Sequence, residues 1–213
     1  MRTSERQYAG IEELRREFMR EKGAIHRRLE DFAAVRPEEY FYELVYCLLT
    51  PQSSAVNAGK AVEALKEADQ SGASVDAAEL FHRKVHYIRF HNTKARHLAA
   101  AREKFPEIVS RLMSGSSGPE LREWLVGNVK GLGWKEASHF LRNIGHRNLA
   151  ILDRHILKNL SKHGVLPSVP TTLTPKRYLA IEARFARFAA EIGMTVDELD
   201  LLFWSRETGE ILK

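Results

Sequence analysis

The sequence predicts an all-α protein, and three observations carry that prediction. Apolar residues recur at helical spacing through almost the whole chain. No long stretch alternates apolar and polar residues as a half-buried strand would. Breaker-rich segments separate the periodic runs: "SGAS" at 71–74, "SGSSGP" at 114–119, "KGLG" at 130–133 and "LPSVPTTLTP" at 166–175.

These marks place ten helices. The first spans 9–30, and the second, 38–49, takes in the apolar run "LVYCLLT". Helices at 54–68 and 76–82 lie either side of "SGAS", and a long one at 92–113 runs up to "SGSSGP". Two more, 119–127 and 134–144, flank "KGLG", and the next, 153–163, opens on Asp153. After the proline-rich loop comes 175–192, where Thr174-Pro175 reads as an N-cap followed by proline at the first helical position. The last helix covers 195–206, and nothing repeats at a fixed period.

The 213 residues, 44% of them hydrophobic, suffice for one domain or two packed subdomains. No stretch approaches the roughly 20 apolar residues of a membrane span. The opening "MRTSERQYAG" lacks the apolar region of a secretory signal, so the expected location is cytoplasmic with no membrane partner. A single cysteine, Cys47, excludes an internal disulfide, a four-cysteine iron–sulfur cluster and a cysteine-based zinc finger. Its apolar surroundings read as a buried core thiol.

The net charge of +5 is concentrated in one place. Between Val129 and Gly164 lie seven basic residues against two acidic ones, and the rest of the chain is neutral in sum. The same segment holds four of the nine histidines, including His139, His146 and His155, without a metal-binding spacing. A basic concentration of this kind suits nucleic acid, and it equally suits a solvated basic face.

Within that segment, "VKGLGWKEASHFLRNIG" at 129–145 reads as the turn and second helix of a hairpin spanning 119–145. Gly127, Gly131 and Gly133 supply the positive φ angles and close backbone approach of a tight connection. Free N–H groups at the start of the following helix, with the bare glycine backbone, can grip a phosphate without reading sequence. Lys135 is then a cation at a helix N-terminus, unfavourable by roughly 0.3–1 kcal/mol if exposed and charged. That setting favours the neutral amine that a nucleophile needs. Eighteen residues on, Asp153 in "LAILDRHIL" has the position of an ordinary N-cap.

Together these motifs resemble the helix-hairpin-helix DNA glycosylase superfamily, to which endonuclease III belongs. The family's catalytic lysine matches Lys135 in "GLGWKEA", and its catalytic aspartate matches Asp153 in "ILDRHIL". Upstream, "LLTPQSSAVNAGKAV" at 48–62 is similar to the loop and helix that enter the DNA, and "FHNTKARHL" at 90–98 to a further helix start. The missing cysteine cluster and the chain length direct the resemblance to the compact archaeal and bacterial second type of 8-oxoguanine DNA glycosylase and abasic-site lyase. "EASHFLRNIG" and the ending "LLFWSRETGEILK" carry that closer likeness.

The resemblance implies two packed helical subdomains, 37–147 ending in the hairpin and 1–36 plus 148–213, with the active site in the cleft between them. It implies that Lys135 attacks the sugar C1′ and forms a Schiff base, that Asp153 assists, and that elimination cuts the strand on the 3′ side. Gln52 would fill the gap left by the extruded nucleotide, Phe90 and Trp204 would sandwich the base, and the terminal carboxylate of Lys213 would help to recognise it. An acceptor facing N7–H separates 8-oxoguanine from guanine, and the Pro51 neighbourhood is one place for it. Gly131, Gly133, Trp134, His139 and Arg154 complete the expected DNA contacts. Trp134 and Trp204 also read as packing aromatics, and His139 as a surface or core histidine. No cofactor or metal is expected beyond a monovalent cation at hairpin carbonyls, and the protein is expected to act as a monomer on double-stranded DNA containing 8-oxoguanine. Two other readings stay open from the residues: a glycosylase and lyase for oxidised pyrimidines, and a DNA-binding module without catalysis.

Overall fold

A computed structural model describes residues 8–209 and Ile211 of the chain. It holds ten α-helices among them and no strand. They divide into two compact units. One runs Val35–Ile144, and the other combines the chain up to Ala34 with the chain from Gly145 onward.

The central unit is built on α2 (Tyr40–Leu49), which apart from Glu43 is largely apolar and is buried on nearly every face. Around it lie α3 (Ala55–Ser71), α5 (His91–Leu112) and α7 (Trp134–Asn143), with α4 (Ala77–His82) against α5 and α6 (Gly118–Asn128) against α7. Side-chain caps fix the starts. Ser54 accepts the Asn57 N–H at the head of α3, and Ser117 with Glu120 forms a capping box at α6. Two single-turn 3-10 helices, Pro37–Glu39 and Lys84–His86, are new to the structure, being too short to present a periodic apolar stripe.

The second unit centres on α10 (Val196–Thr208), which packs against α1 (Ile11–Ala33), α8 (Arg154–Lys162) and α9 (Pro175–Glu191). Thr174 caps α9, with Pro175 at its first position, and Thr195 with Glu198 forms a capping box at α10. Where the chain re-enters this unit, Gly145 has φ 95°, and a Cβ there would sit 3.1 Å from the backbone of Ala33. His163 is stacked between Phe188 and Phe203, and its Nδ1 lies 2.6 Å from the Ala9 carbonyl, which fixes the start of the described chain to the core.

Candidate active site

The hairpin lies in the central unit. Helix α6 runs through Gly127 to Asn128, residues 129–133 turn, and α7 opens at Trp134. Only Gly131 in this turn needs a left-handed backbone, with φ 86°. A Cβ there would fall 2.2 Å from Nδ1 of His97 on α5, so the ring and the bare backbone are packed together. Gly133 is extended at φ −87°, a conformation open to any residue, and its nearest would-be neighbour is the flexible Glu136 carboxylate. Gly127 is helical. The expected positive φ therefore holds at one glycine of the three. Between the turn and Ala100, Ala101 and Lys104 of α5 lies an open groove of about 570 Å³.

Lys135 occupies the first turn of α7, and its Nζ lies 3.2 Å from Glu136 Oε1. The local environment thus places an anion beside the amine. Two residues of this helix expected to contact DNA are also engaged in packing. His139 is buried at 7% exposure, with its ring edge-on to Tyr46 of α2, so it belongs to the inner face of α7. Trp134 carries the guanidinium of the buried Arg122 over its ring at 5.0 Å, and Arg122 also donates to Ser138 Oγ at 3.1 Å. Trp134 therefore packs the start of α7. Cys47 is fully buried, as expected, and burial first, then the charge of Glu43, pushes its thiol pKa up.

Two loops of this unit present the residues expected to meet the lesion. Gln52 is exposed with φ 56°, and Phe90 is half exposed with φ 60°. Left-handed backbone is uncommon for both residue types and marks places where surrounding contacts override local preference. The Arg89 guanidinium lies 4.9 Å from the Phe90 ring centroid. The Pro51 carbonyl accepts a hydrogen bond from Lys94 Nζ at 2.7 Å, which leaves one of its two lone pairs.

Asp153 belongs to the second unit. Its Oδ1 accepts the backbone N–H groups of His155 and Ile156, both at 2.8 Å, as the N-cap of α8. Oδ2 has no hydrogen bond among the described residues. The segment before it, Leu149–Leu152, is irregular and buried, and α9 satisfies its backbone. Tyr178 Oη donates to the Ala150 carbonyl at 2.5 Å and accepts the Leu152 N–H at 3.2 Å, while Glu182 accepts the Ala150 N–H at 2.8 Å. Arg154 is exposed at the first position of α8. Beside it, His155 pairs with Glu207 at 3.1 Å and lies 5.4 Å from the Trp204 ring, bringing the head of α8 and the end of α10 together. Lys213 lies outside the described residues; two positions earlier, the Ile211 carbonyl accepts from Arg28 of α1 at 3.3 Å.

Sequence reasoning passed over Lys94, Tyr178, Glu182 and Glu136. Lys94 had a legible signal, because it shares the buried stripe of α5 with Leu98, Ala101 and Ile108. The two α9 residues had none, since their partners lie 26 to 32 positions away along the chain.

A model of the family described as 8-oxoguanine DNA glycosylase matches residues 25–194. The 8-oxoguanine DNA glycosylase/AP lyase of Fusobacterium nucleatum is 44% identical over 179 residues, 80% of this chain and 81% of that one. Its counterpart in Korarchaeum cryptofilum is 40% identical over 96% of this chain and 100% of its own. The crystal structure of Methanocaldococcus jannaschii 8-oxoguanine glycosylase/lyase with a 15mer DNA containing 8-oxoguanine superposes with a TM-score of 0.81 at 32% identity, over 93% of this chain and 98% of that one.

Proposed function

The chain belongs to the 8-oxoguanine DNA glycosylase family, and on that premise we propose how its own residues remove 8-oxoguanine from DNA and cut at the abasic site left behind. It is an N-glycosylase and abasic-site lyase. Of the three readings open from the residues, family membership selects the first.

The target C1′ is hidden while the nucleotide is stacked, so extrusion comes first, at a cost of a few kcal/mol. Gln52 fills the vacated space, and Phe90 and Trp204 offer aromatic faces to the base. The neutral Lys135 amine then attacks C1′, the glycosidic bond breaks, and the base leaves with its bonding pair and takes up a proton. Opening of the sugar gives a Schiff base between Nζ and C1′. Loss of a proton from C2′ expels the 3′ phosphate, and water releases the lysine. Asp153 supplies negative charge near the developing cation through Oδ2, because Oδ1 is already committed to the head of α8.

The hairpin turn and the head of α7 hold a phosphate, with Gly131, Gly133 and Arg154 contributing backbone approach or charge. Base choice rests on an acceptor near Pro51, whose carbonyl keeps one lone pair beside Lys94. The lysine chemistry draws on no cofactor. No cluster of His, Cys, Asp or Glu suited to a metal occurs among the described residues, so a cation at the hairpin would be held by backbone oxygens. The protein acts as a monomer in this reading, and no helix among the described residues is long and apolar enough to cross a membrane.

The observation that carries the residue assignment is the placement of Lys135 in the first turn after the Gly131 hairpin. Borohydride should trap a covalent complex between the protein and duplex DNA containing 8-oxoguanine, with far less on a thymine glycol duplex. Lys135→Gln should abolish trapping and retain DNA binding. A covalent complex formed by that variant would remove Lys135 from the role.

A further inference from the structure

Lys94 is a buried cation that the chemistry above does not use. It lies in the first turns of α5 with only 5% of its surface exposed. Its ammonium donates to the Leu49 carbonyl at 2.6 Å, the Pro51 carbonyl at 2.7 Å and Ser53 Oγ at 3.1 Å. Leu49 ends α2, so the first of these bonds satisfies a terminal carbonyl where the helix dipole favours a cation. The second and third clamp the turn that follows. Thr50 and Ser53 close that turn with a backbone bond of 3.0 Å, Pro51 holds its second position, and the left-handed Gln52 holds its third. Proline then a left-handed residue is the type II pattern, in which glycine or asparagine is the ordinary third residue.

Ser53 Oγ is shared with a second loop. It accepts the Arg89 N–H at 3.0 Å, and Asn57 Nδ2 donates to the Tyr87 carbonyl at 3.2 Å. The turn ending in Phe90 is therefore suspended from the 50–57 segment. Lys94 is tied to that turn from the other side, through its own N–H to the Phe90 carbonyl at 3.0 Å. One amine and one hydroxyl hold both left-handed, non-glycine residues of this unit that stand among the lesion contacts.

We propose that Lys94, bridged by Ser53, is a positioning residue for base extrusion and capture, setting Gln52 and Phe90 in register before DNA arrives. The proposal rests on the roles given to those two residues above. Holding two unfavourable backbone conformations ready means that the DNA complex need not supply that ordering. The network tolerates either charge state of the amine, whose pKa is lowered to about 8 by burial and then by the nearby Lys135, with Glu136 opposing. A neutral amine donates to the two carbonyls and accepts the Ser53 O–H, while Ser53 Oγ still accepts from Arg89.

The test compares two reactions of the full-length protein under single turnover: excision of 8-oxoguanine from a duplex, and strand cleavage of a duplex with a preformed abasic site. The second has no base to extrude or stack. Lys94→Met should slow excision by roughly 10- to 100-fold, the scale of a reacting geometry displaced by about 1 Å, with abasic-site cleavage within about threefold of wild type. Ser53→Ala, which leaves both carbonyl bonds of Lys94 in place, should give a smaller loss confined to excision and keeps the test open if Lys94→Met does not fold. Equal losses in both reactions, or undiminished excision, would overturn the proposal. Gln52→Ala and Phe90→Ala in the same pair of assays separate the two layers. If they lose excision selectively while the Lys94 and Ser53 variants do not, positioning by Lys94 fails alone; if they lose nothing, the reading of the two contact residues fails and the proposal falls with it.

Discussion

Asp153 is an N-cap in the structure and a catalytic residue in the proposed reading, two functions that are usually alternatives. Its Oδ1 is the N-cap of α8, with two backbone N–H groups bound at 2.8 Å, and Oδ2 is left for chemistry. The two functions respond differently to substitution. Asparagine caps about as well as aspartate, whereas alanine at an N-cap costs about 1 kcal/mol. Asp153→Asn should therefore keep the wild-type thermal midpoint and lower the single-turnover rate of borohydride-trappable complex formation by roughly 100-fold, the scale of one lost electrostatic stabiliser. Asp153→Ala should show the same kinetic loss together with a lower midpoint in a thermal melt. A normal rate in Asp153→Asn would leave the residue as a cap alone. Gly131 shows the opposite economy at this scale: the His97 ring fills the place of its Cβ, so a side chain there would have to displace that ring and would be strained at φ 86°.

At the level of elements, most helices were legible from periodic apolar residues that identify a buried face, and α2 from an almost unbroken apolar run. Even the long run of α5 could be read through Pro106, since the apolar stripe resumes with Ile108 beyond it. The hairpin was legible from its glycines and the cap position of Asp153 from its place after four apolar residues at the head of the next helix. The two 3-10 turns were not, being too short to present a periodic stripe, and neither was the support beneath Asp153, which depends on contacts distant in sequence. That support gives α9 a role beyond packing. Residues 149–152 have no helix or strand to satisfy their backbone, and the Tyr178 hydroxyl holds both a carbonyl and an N–H of this segment. Tyr178→Phe leaves those groups buried and unpaired, at a cost of about 1–3 kcal/mol in denaturant unfolding. Because the segment leads directly into Asp153, excision and abasic-site cleavage should slow together. Loss of one reaction alone would separate the brace from the role proposed for Asp153, and in this it contrasts with Lys94.

For the molecule as a whole, the sequence located the positive excess, and the structure separates the part that is free to meet a polyanion. Of the seven basic residues between Val129 and Gly164, Arg142 is buried, Arg147 is bound to the Leu29 carbonyl, and Lys135 is paired with Glu136. Lys130, Arg154, Lys158 and Lys162 are exposed. The last three recur every four residues along α8, so their Cα atoms rise about 6 Å per step, on the scale of the spacing between successive phosphates. Each phosphate neutralised on binding steepens the fall of log K with log salt by about 0.9. Replacing the four exposed cations with glutamine should flatten that slope, for undamaged duplex, by about 0.9 for each of them that contacts a phosphate, and leave the melting temperature close to wild type. Arg142→Gln should do the reverse, lowering the melting temperature with little change in slope, because its guanidinium belongs to the core of the central unit. If the fourfold variant kept the wild-type salt dependence, the basic segment would be an ordinary solvated face, the alternative left open by charge alone.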